Sequence, residues 1–252
     1  MHIMKQMNLI GFLTIMALTF AMLAHAEESP ANKFKDEAEL SYVQTGGNTK
    51  VVSFSAKNLL TYQATENFKL DWTVQALFAE AEIDGDTEKT AERYATELRL
   101  EYALTERFYT AAYGGWLQDE FAGIDDRYYV GPALGYKVLI GPKHFLRTEA
   151  GVDYVKEYYV DDTDDGYMRG RAFGEYAFAL TEKTRFSQSV EYLHSFDDSD
   201  NYNMNSETAL TTALSDKLSL KTSYIVNYDN QPVPEALDET DTVLAVTIIV
   251  NF

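Results

Sequence analysis

The stretch AERYATELRLEYA, residues 91–103, alternates strictly: Tyr94, Thr96, Leu98, Leu100 and Tyr102 share one parity, while Arg93, Glu97, Arg99 and Glu101 share the other. A β-strand sends successive side chains to opposite faces, so this stretch has one apolar face and one face of opposed charges. The pattern recurs along the chain. In 68–81, Leu70, Trp72, Val74, Ala76 and Phe78 oppose Lys69, Asp71, Thr73 and Gln75. In 145–159, Arg147, Glu149 and Asp153 share a parity, and in 167–180 Met168, Ala172, Tyr176 and Phe178 oppose Arg169, Arg171 and Glu175.

Short turns at ATENF, LTERF, GPKHF, LTEKTRF and LSDKL separate such segments, and longer acidic loops fall midway between them. Each repeat therefore holds two strands, one tight turn and one loop, a train of hairpins rather than propeller blades or solenoid turns. Counting strands between turns gives twelve, from about residue 36 to the end of the chain. Pro132 falls inside the sixth, where its missing N–H predicts a bulge at Gly131-Pro132. The ninth and tenth are polar on both faces, so they are expected to face the lumen poorly or to lie partly above the membrane.

Alternation alone permits a soluble barrel with the apolar face inward. Four features favour the inverse, an antiparallel up-and-down barrel in lipid. Segments of ten or more residues, tilted, cross an apolar band of about 25 Å. Aromatic residues gather at both strand ends, Tyr62, Phe68, Tyr102 and Phe108 near the tight turns and Tyr94, Trp116, Tyr128 and Tyr202 near the loops, as two interfacial girdles would. Turns are short on one side and loops long on the other. The chain ends in TVLAVTIIVNF, with Leu244, Val246, Ile248, Val250 and Phe252 on one face, similar to the terminal signal read by the outer-membrane barrel assembly machinery.

The chain begins with Lys5, a mainly apolar stretch from Leu9 to Leu23 and Ala24-His25-Ala26. That order predicts a signal peptide over residues 1–26, a periplasmic segment over 27–34 and the barrel over 35–252. No later run is long and apolar enough for a transmembrane helix. Losing the leader makes the net charge one more negative than the −19 of the whole chain, a field unsuited to nucleic acid. Cysteine is absent, so no disulfide supports an exported fold.

The segment ELSYVQTGGNTKVVSFSAKNLLTY, followed by hairpins ending in Phe, resembles the salt-induced outer membrane protein family, a domain-of-unknown-function group of outer-membrane β-barrels. Ser41 stands where that group commonly has glycine. The resemblance implies an outer-membrane location and a role under salt or osmotic stress. Gly46, Gly47 and Asn48 read as a hairpin tip, since glycine and asparagine tolerate the positive φ of tight turns. A phosphate cradle would need a following helix, and the residues after Asn48 read as a strand.

Three chemistries follow. Lys69, Asp71, Arg93, Glu97, Arg99, Glu101, Arg147, Glu149, Asp153, Arg169, Arg171 and Glu175, with Glu39, Lys57, Lys137 and Lys221, are expected to line the lumen. They make either a narrow, selective channel or a salt-bridged plug. The outer loops carry 22 acidic residues and one lysine, Lys89. They form either a solvated acidic rim or a site for loop-bound Ca²⁺ or Mg²⁺ at Asp161, Asp162, Asp164 and Asp165, bridging to lipopolysaccharide. A phospholipase-like enzyme would need a serine on the same face as His144 or His194; Ser195 points the other way, Ser206 across the hairpin is diagonal to His194 at best, and no His-x-Ser spacing is present, so no catalytic residue and no cofactor is assigned. Partners are then lipid, lipopolysaccharide and the assembly machinery, with a monomer expected.

Overall fold

The computed structural model describes residues 33–44, 51–83, 86–232 and 238–252. The predicted leader and the Gly46-Gly47-Asn48 turn lie outside the described residues. The strands are β1 Phe34–Gln44, β2 Val51–Gln63, β3 Phe68–Ile83, β4 Asp86–Ala103, β5 Phe108–Asp119 and β6 Ile124–Ile140, then β7 His144–Tyr159, β8 Asp164–Ala179, β9 Thr184–Ser195, β10 Tyr202–Ala213, β11 Leu218–Asp229 and β12 Thr240–Asn251. Each pairs antiparallel with its chain neighbours, and β1 closes on β12 into one barrel. Twelve residues at about 3.4 Å each, tilted 45°, rise about 29 Å. That suffices to cross an apolar band of about 25 Å.

Which face points inward is decided by exposure. Leu98, Leu134, Met168 and Leu244 are 45, 65, 42 and 69% exposed, whereas Glu149, Asp153 and Arg169 are 6, 1 and 6% exposed. Soluble proteins expose charge and bury leucine. Here the apolar parity faces out and the charged parity faces in, the arrangement of a barrel whose outer solvent is lipid. Aromatic contacts mark both margins on the outside. Phe34 stacks on Tyr62 at 4.5 Å and Phe108 lies 4.6 Å from Tyr136 at the tight-turn end. Tyr192, His194, Tyr202 and Tyr228 form a chain of neighbouring rings at the loop end.

Four tight turns share one device. Thr65, Thr105, Thr181 and Ser215 each accept, at the hydroxyl, the backbone N–H two and three residues on. A short side chain thus supplies the acceptor that the reversing backbone lacks.

The bulge expected at Gly131-Pro132 is absent. Val130 pairs with Tyr154 and Ala133 with Gly151, so register continues unchanged across the proline and the ladder to β7 simply lapses for two residues. Glycine makes this possible: a Cβ at Gly131 would lie 2.1 Å from Val152 O, so the two backbones meet where the missing donor would have been. Extra residues fall elsewhere, at Asp125 and Val138 of β6 and Thr90 of β4. The ninth and tenth strands are full members of the barrel, paired through eleven positions. Their outward polar groups satisfy one another: Gln188 donates to Ser206 Oγ at 2.9 Å, and Thr208 donates back to Gln188. Mutual hydrogen bonding removes most of the cost of polar groups in lipid.

Candidate functional site: the barrel interior

The interior has two unlike halves. Along β3 to β9 the inward residues are long and charged or aromatic, and they lock together. Glu149, with a side chain 1% exposed, is the hub: its Oε1 accepts from Arg99 Nη2 at 2.6 Å and Tyr109 OH at 2.8 Å, and its Oε2 from Arg171 Nη1 at 2.8 Å. Arg171 continues to Glu191 at 2.6 Å, and Arg147 joins Glu175 at 2.7 Å. Asp153 Oδ2 accepts from both Arg169 Nε and Nη2, at 3.0 and 2.9 Å, and its Oδ1 accepts from Nε at 3.2 Å, charge-assisted bonds all. Arg127 pairs with Glu157, which also accepts from Tyr159. Lys69 sits 2.8 Å from Asp71 and 3.8 Å from Glu101.

Rings fill the space between charges. Arg171 lies over Tyr113 and Phe173, and Arg169 over Tyr129, whose hydroxyl donates to Glu97 at 2.8 Å. Two rings fit because the register places glycine opposite them. Tyr109 pairs with Gly135 and Tyr129 with Gly115. A Cβ at Gly135 would lie 2.0 Å from Tyr109 Cζ, and one at Gly115 2.4 Å from Tyr129 OH. The ring covers the bare backbone of the next strand, a recurrent way of filling a strand glycine.

The other half, β9 to β12 with β1 and β2, carries short inward residues such as Ser187, Ser189, Asn205, Ser219, Ser223 and Thr247. Short side chains leave the lumen unfilled there. Three cavities of about 620, 350 and 280 Å³ stack from the tight-turn end to the loop end. The lower two share Glu39, Ser189, Glu207 and Lys221 in their walls, and the upper two share Arg93, Asn205 and Asn227. Between the lower two stands Lys221. Its Nζ is 3.0 Å from Glu39 Oε2 and 2.8 Å from Glu207 Oε1, and Lys57 approaches Glu39 at 3.6 Å. The third cavity is acidic, with Asp119, Asp229, Asp238, Glu239 and Asp241 against Arg93 and Arg127, and a further one of about 730 Å³ among the loops shares Pro232 and Glu239 with it.

All twelve principal lumen candidates therefore point inward. Eleven of them, Arg93 aside, belong to or border the packed wall, while Arg93 lines the open side. Missed from sequence were the small inward residues that make the space and Lys221's position between two carboxylates. The signal was present as the serine and threonine content of the last four strands.

The four loop aspartates do not converge. Asp161 accepts from Thr163 N and Oγ1, Asp164 pairs with Lys156, Asp165 accepts from Gly166 N at 2.7 Å, and Asp162 takes φ 66° at the loop tip. Among the described residues no cluster of three or more metal-ligating side chains occurs. Thr163's two donors hold the Asp161 carboxyl below its ordinary pKa. Among the described residues, the hydrogen-bond partners of His144 and His194 are tyrosines, Tyr176 and Tyr192. His144 Nδ1 is 2.8 Å from Tyr176 OH, and His194 pairs across the ladder with Tyr202, while Ser206 is opposite Val190. Leu244, Val246, Ile248 and Phe252 face outward, 41–69% exposed, and Phe252 N donates to Asp36 O at 3.0 Å across the closure.

The family model described as "Protein of unknown function, DUF481" matches residues 38–252. The chain belongs to the DUF481 family. The match bears out the resemblance read from residues 39–62. A relative, the uncharacterized protein YdiY of Escherichia coli K12, is 28% identical over 214 residues, 84% of this chain and 81% of its own. Among solved structures, the translocator domain of the autotransporter NalP from Neisseria meningitidis superposes with TM-score 0.54 at 8% identity, covering 97% of both chains. An outer membrane channel from Pseudomonas putida F1 does so with TM-score 0.54 at 12% identity, over 90% of this chain and all of that one. At such identity the likeness is one of fold: this DUF481 protein is a twelve-stranded barrel of the outer membrane.

Proposed function

We propose that the protein is a narrow outer-membrane channel for small solutes or ions, its passage confined to the half of the lumen bounded by β9 to β12, β1 and β2. The observation that carries this reading is the column of three cavities sharing wall residues, interrupted by the Lys221 bridge between Glu39 and Glu207. The packed wall of β3 to β9 acts as a rigid buttress that narrows the pore without filling it. An acidic upper mouth concentrates cations over anions. The family resemblance adds the setting, maintenance of the envelope under salt or osmotic stress, and the apolar exterior implies lipid and lipopolysaccharide as neighbours around a monomer, with the outward Leu244-to-Phe252 face offered to the assembly machinery. Planar-bilayer recording of refolded protein tests the reading: discrete, salt-dependent openings are expected, and silence at every voltage refutes it.

A further inference from the structure

The middle cavity joins an oily wall to a charged one. Leu77 of β3, Ile225 of β11 and Val243 and Ala245 of β12 all line it. Ile225 pairs directly with Val243, and Ala245 follows Val243 on the same face of β12, so these three make one continuous apolar strip. Barrel interiors are ordinarily polar. A strip of this kind at mid-depth is a surface from which water is readily displaced.

Two cations with donors to spare face the same cavity. Arg99, Arg127, Arg147, Arg169 and Arg171 each donate a hydrogen bond to a carboxylate. Arg93 instead stands 3.9 Å from Asp119, and Lys57 stands 3.6 Å from Glu39, both beyond hydrogen-bonding distance. Their side chains keep 35 and 36% of their exposure, and both line the middle cavity. Register sets them on either side of Leu77: Arg93 pairs with Leu77 itself, and Lys57 pairs with Gln75, the next inward residue of β3. The carboxylates of this cavity are already engaged. Glu39 and Glu207 share Lys221 at 3.0 and 2.8 Å, and Glu191 accepts from Arg171 at 2.6 Å and Asn205 at 3.0 Å. The spare polar capacity of the chamber is therefore that of positively charged donors.

We infer that the middle cavity binds a small carboxylate with a hydrocarbon body, its carboxylate between Lys57 and Arg93 and its body against Leu77, Ile225, Val243 and Ala245. A guanidinium presents a planar pair of donors that matches two carboxylate oxygens, and a lysine adds a point charge. Neither cation gives up a hydrogen bond to make the new ones. At about 350 Å³ the cavity is at the small end of ligand pockets, which run from about 300 to 1,000 Å³. The acidic upper mouth bears on where the carboxylate comes from: it repels a bare anion, whereas an α-amino acid carries its own ammonium and crosses with no net charge. Both sources present the same carboxylate and body to the site. This inference deepens the channel reading, on which it rests, by naming a solute class for the middle chamber.

Titration calorimetry on the refolded barrel in detergent tests the site without requiring conduction. Leucine and 4-methylpentanoate carry both carboxylate and body, and saturable binding of both is expected. Leucinamide keeps the body and the ammonium but has no carboxylate, and acetate has a carboxylate without the body. Each of these should bind at least about tenfold more weakly, a difference of about 1.4 kcal/mol. Tighter binding of leucine assigns the site to zwitterions, and tighter binding of 4-methylpentanoate assigns it to simple acids. Lys57→Gln and Arg93→Gln should each weaken both ligands about tenfold. Because neither side chain holds a hydrogen bond in the barrel, both variants are expected to fold. Ile225→Ser should weaken the two hydrocarbon ligands and leave acetate unchanged. Leucinamide binding as tightly as leucine, or unchanged affinity when Lys57→Gln and Arg93→Gln are combined, overturns the proposal. In planar bilayers, silence alongside retained carboxylate binding overturns the channel alone, and conduction without any carboxylate binding overturns this site alone.

Discussion

Replacing Lys221 by methionine keeps the length of the side chain and removes the one cation lodged between Glu39 and Glu207. For a cation passing about 5 Å away, loss of that charge is worth about 0.8 kcal/mol even in a water-like dielectric. The corresponding change at the constriction is about fourfold in cation occupancy and, because anions shift equally the other way, about sixteenfold in the cation-to-anion ratio. A less hydrated constriction would enlarge the effect, because the Coulomb energy grows as the local dielectric falls. Glu39→Gln removes a negative charge from the same place and should move selectivity the opposite way. The assay is the reversal potential of refolded protein in a potassium chloride gradient, with single-channel conductance recorded alongside. Lys221→Met also leaves two carboxylates facing one another, with Lys57 near Glu39 alone. Since Lys221 and Glu207 keep 13 and 31% of their side-chain exposure, we expect a stability loss of about 1–2 kcal/mol, below that of a fully buried pair. Unchanged reversal potentials in both variants, with the barrel folded, would refute the placement of the passage at this bridge.

The packed wall should respond differently. Asp153→Asn leaves Arg169 buried without its counter-charge and should cost about 3–5 kcal/mol in urea unfolding, with little change in ion selectivity. Gly135→Ala drives a methyl into the Tyr109 ring and should cost about 1–3 kcal/mol, a loss that Tyr109→Ala in the same chain partly relieves. At the loop tip, Asp161 should titrate below its ordinary value by NMR, and Thr163→Val should raise the midpoint. Because the folded carboxyl is the stronger acid, its small contribution to stability is present above the unfolded pKa and fades as pH falls through the folded one.

The barrel was legible because it rests on parity, and parity is local: a reader of residues 91–103 can sort Leu98 from Arg99 without knowing what lies across the lumen. The interior was legible only as a set of charges. That Arg99 and Arg171 meet on Glu149, fifty and twenty-two residues away, depends on how far each strand is staggered round the wall, and nothing in the alternation records stagger. Pro132 misled for a related reason. A missing donor demands some local answer, and an inserted residue is one; a glycine beside it, admitting close backbone approach, is another, and only the register distinguishes them. The polar ninth and tenth strands misled because an outward Gln188 reads as exposed to lipid until Ser206 and Thr208 are seen on either side of it.

The two halves of the lumen also account for each other. A barrel of twelve strands has a backbone radius of about 12 Å, and long side chains from every strand would meet at the centre and close it. Here arginines, glutamates and tyrosines from β3 to β9 reach across and bond among themselves, so their charges are neutralised within the wall rather than by partners on the far side. The far side is thereby released from supplying counter-ions and can carry serine, asparagine and alanine. Its one strongly bonded cation, Lys221, is held by Glu39 from β1 and Glu207 from β10, spanning the strands that flank the closure. Open volume thus lies on the side with few ion pairs, while the dense ion pairing is concentrated opposite. Stiffening the open side by adding charge pairs there should therefore raise stability and lower conductance together, whereas stiffening the packed wall should raise stability alone.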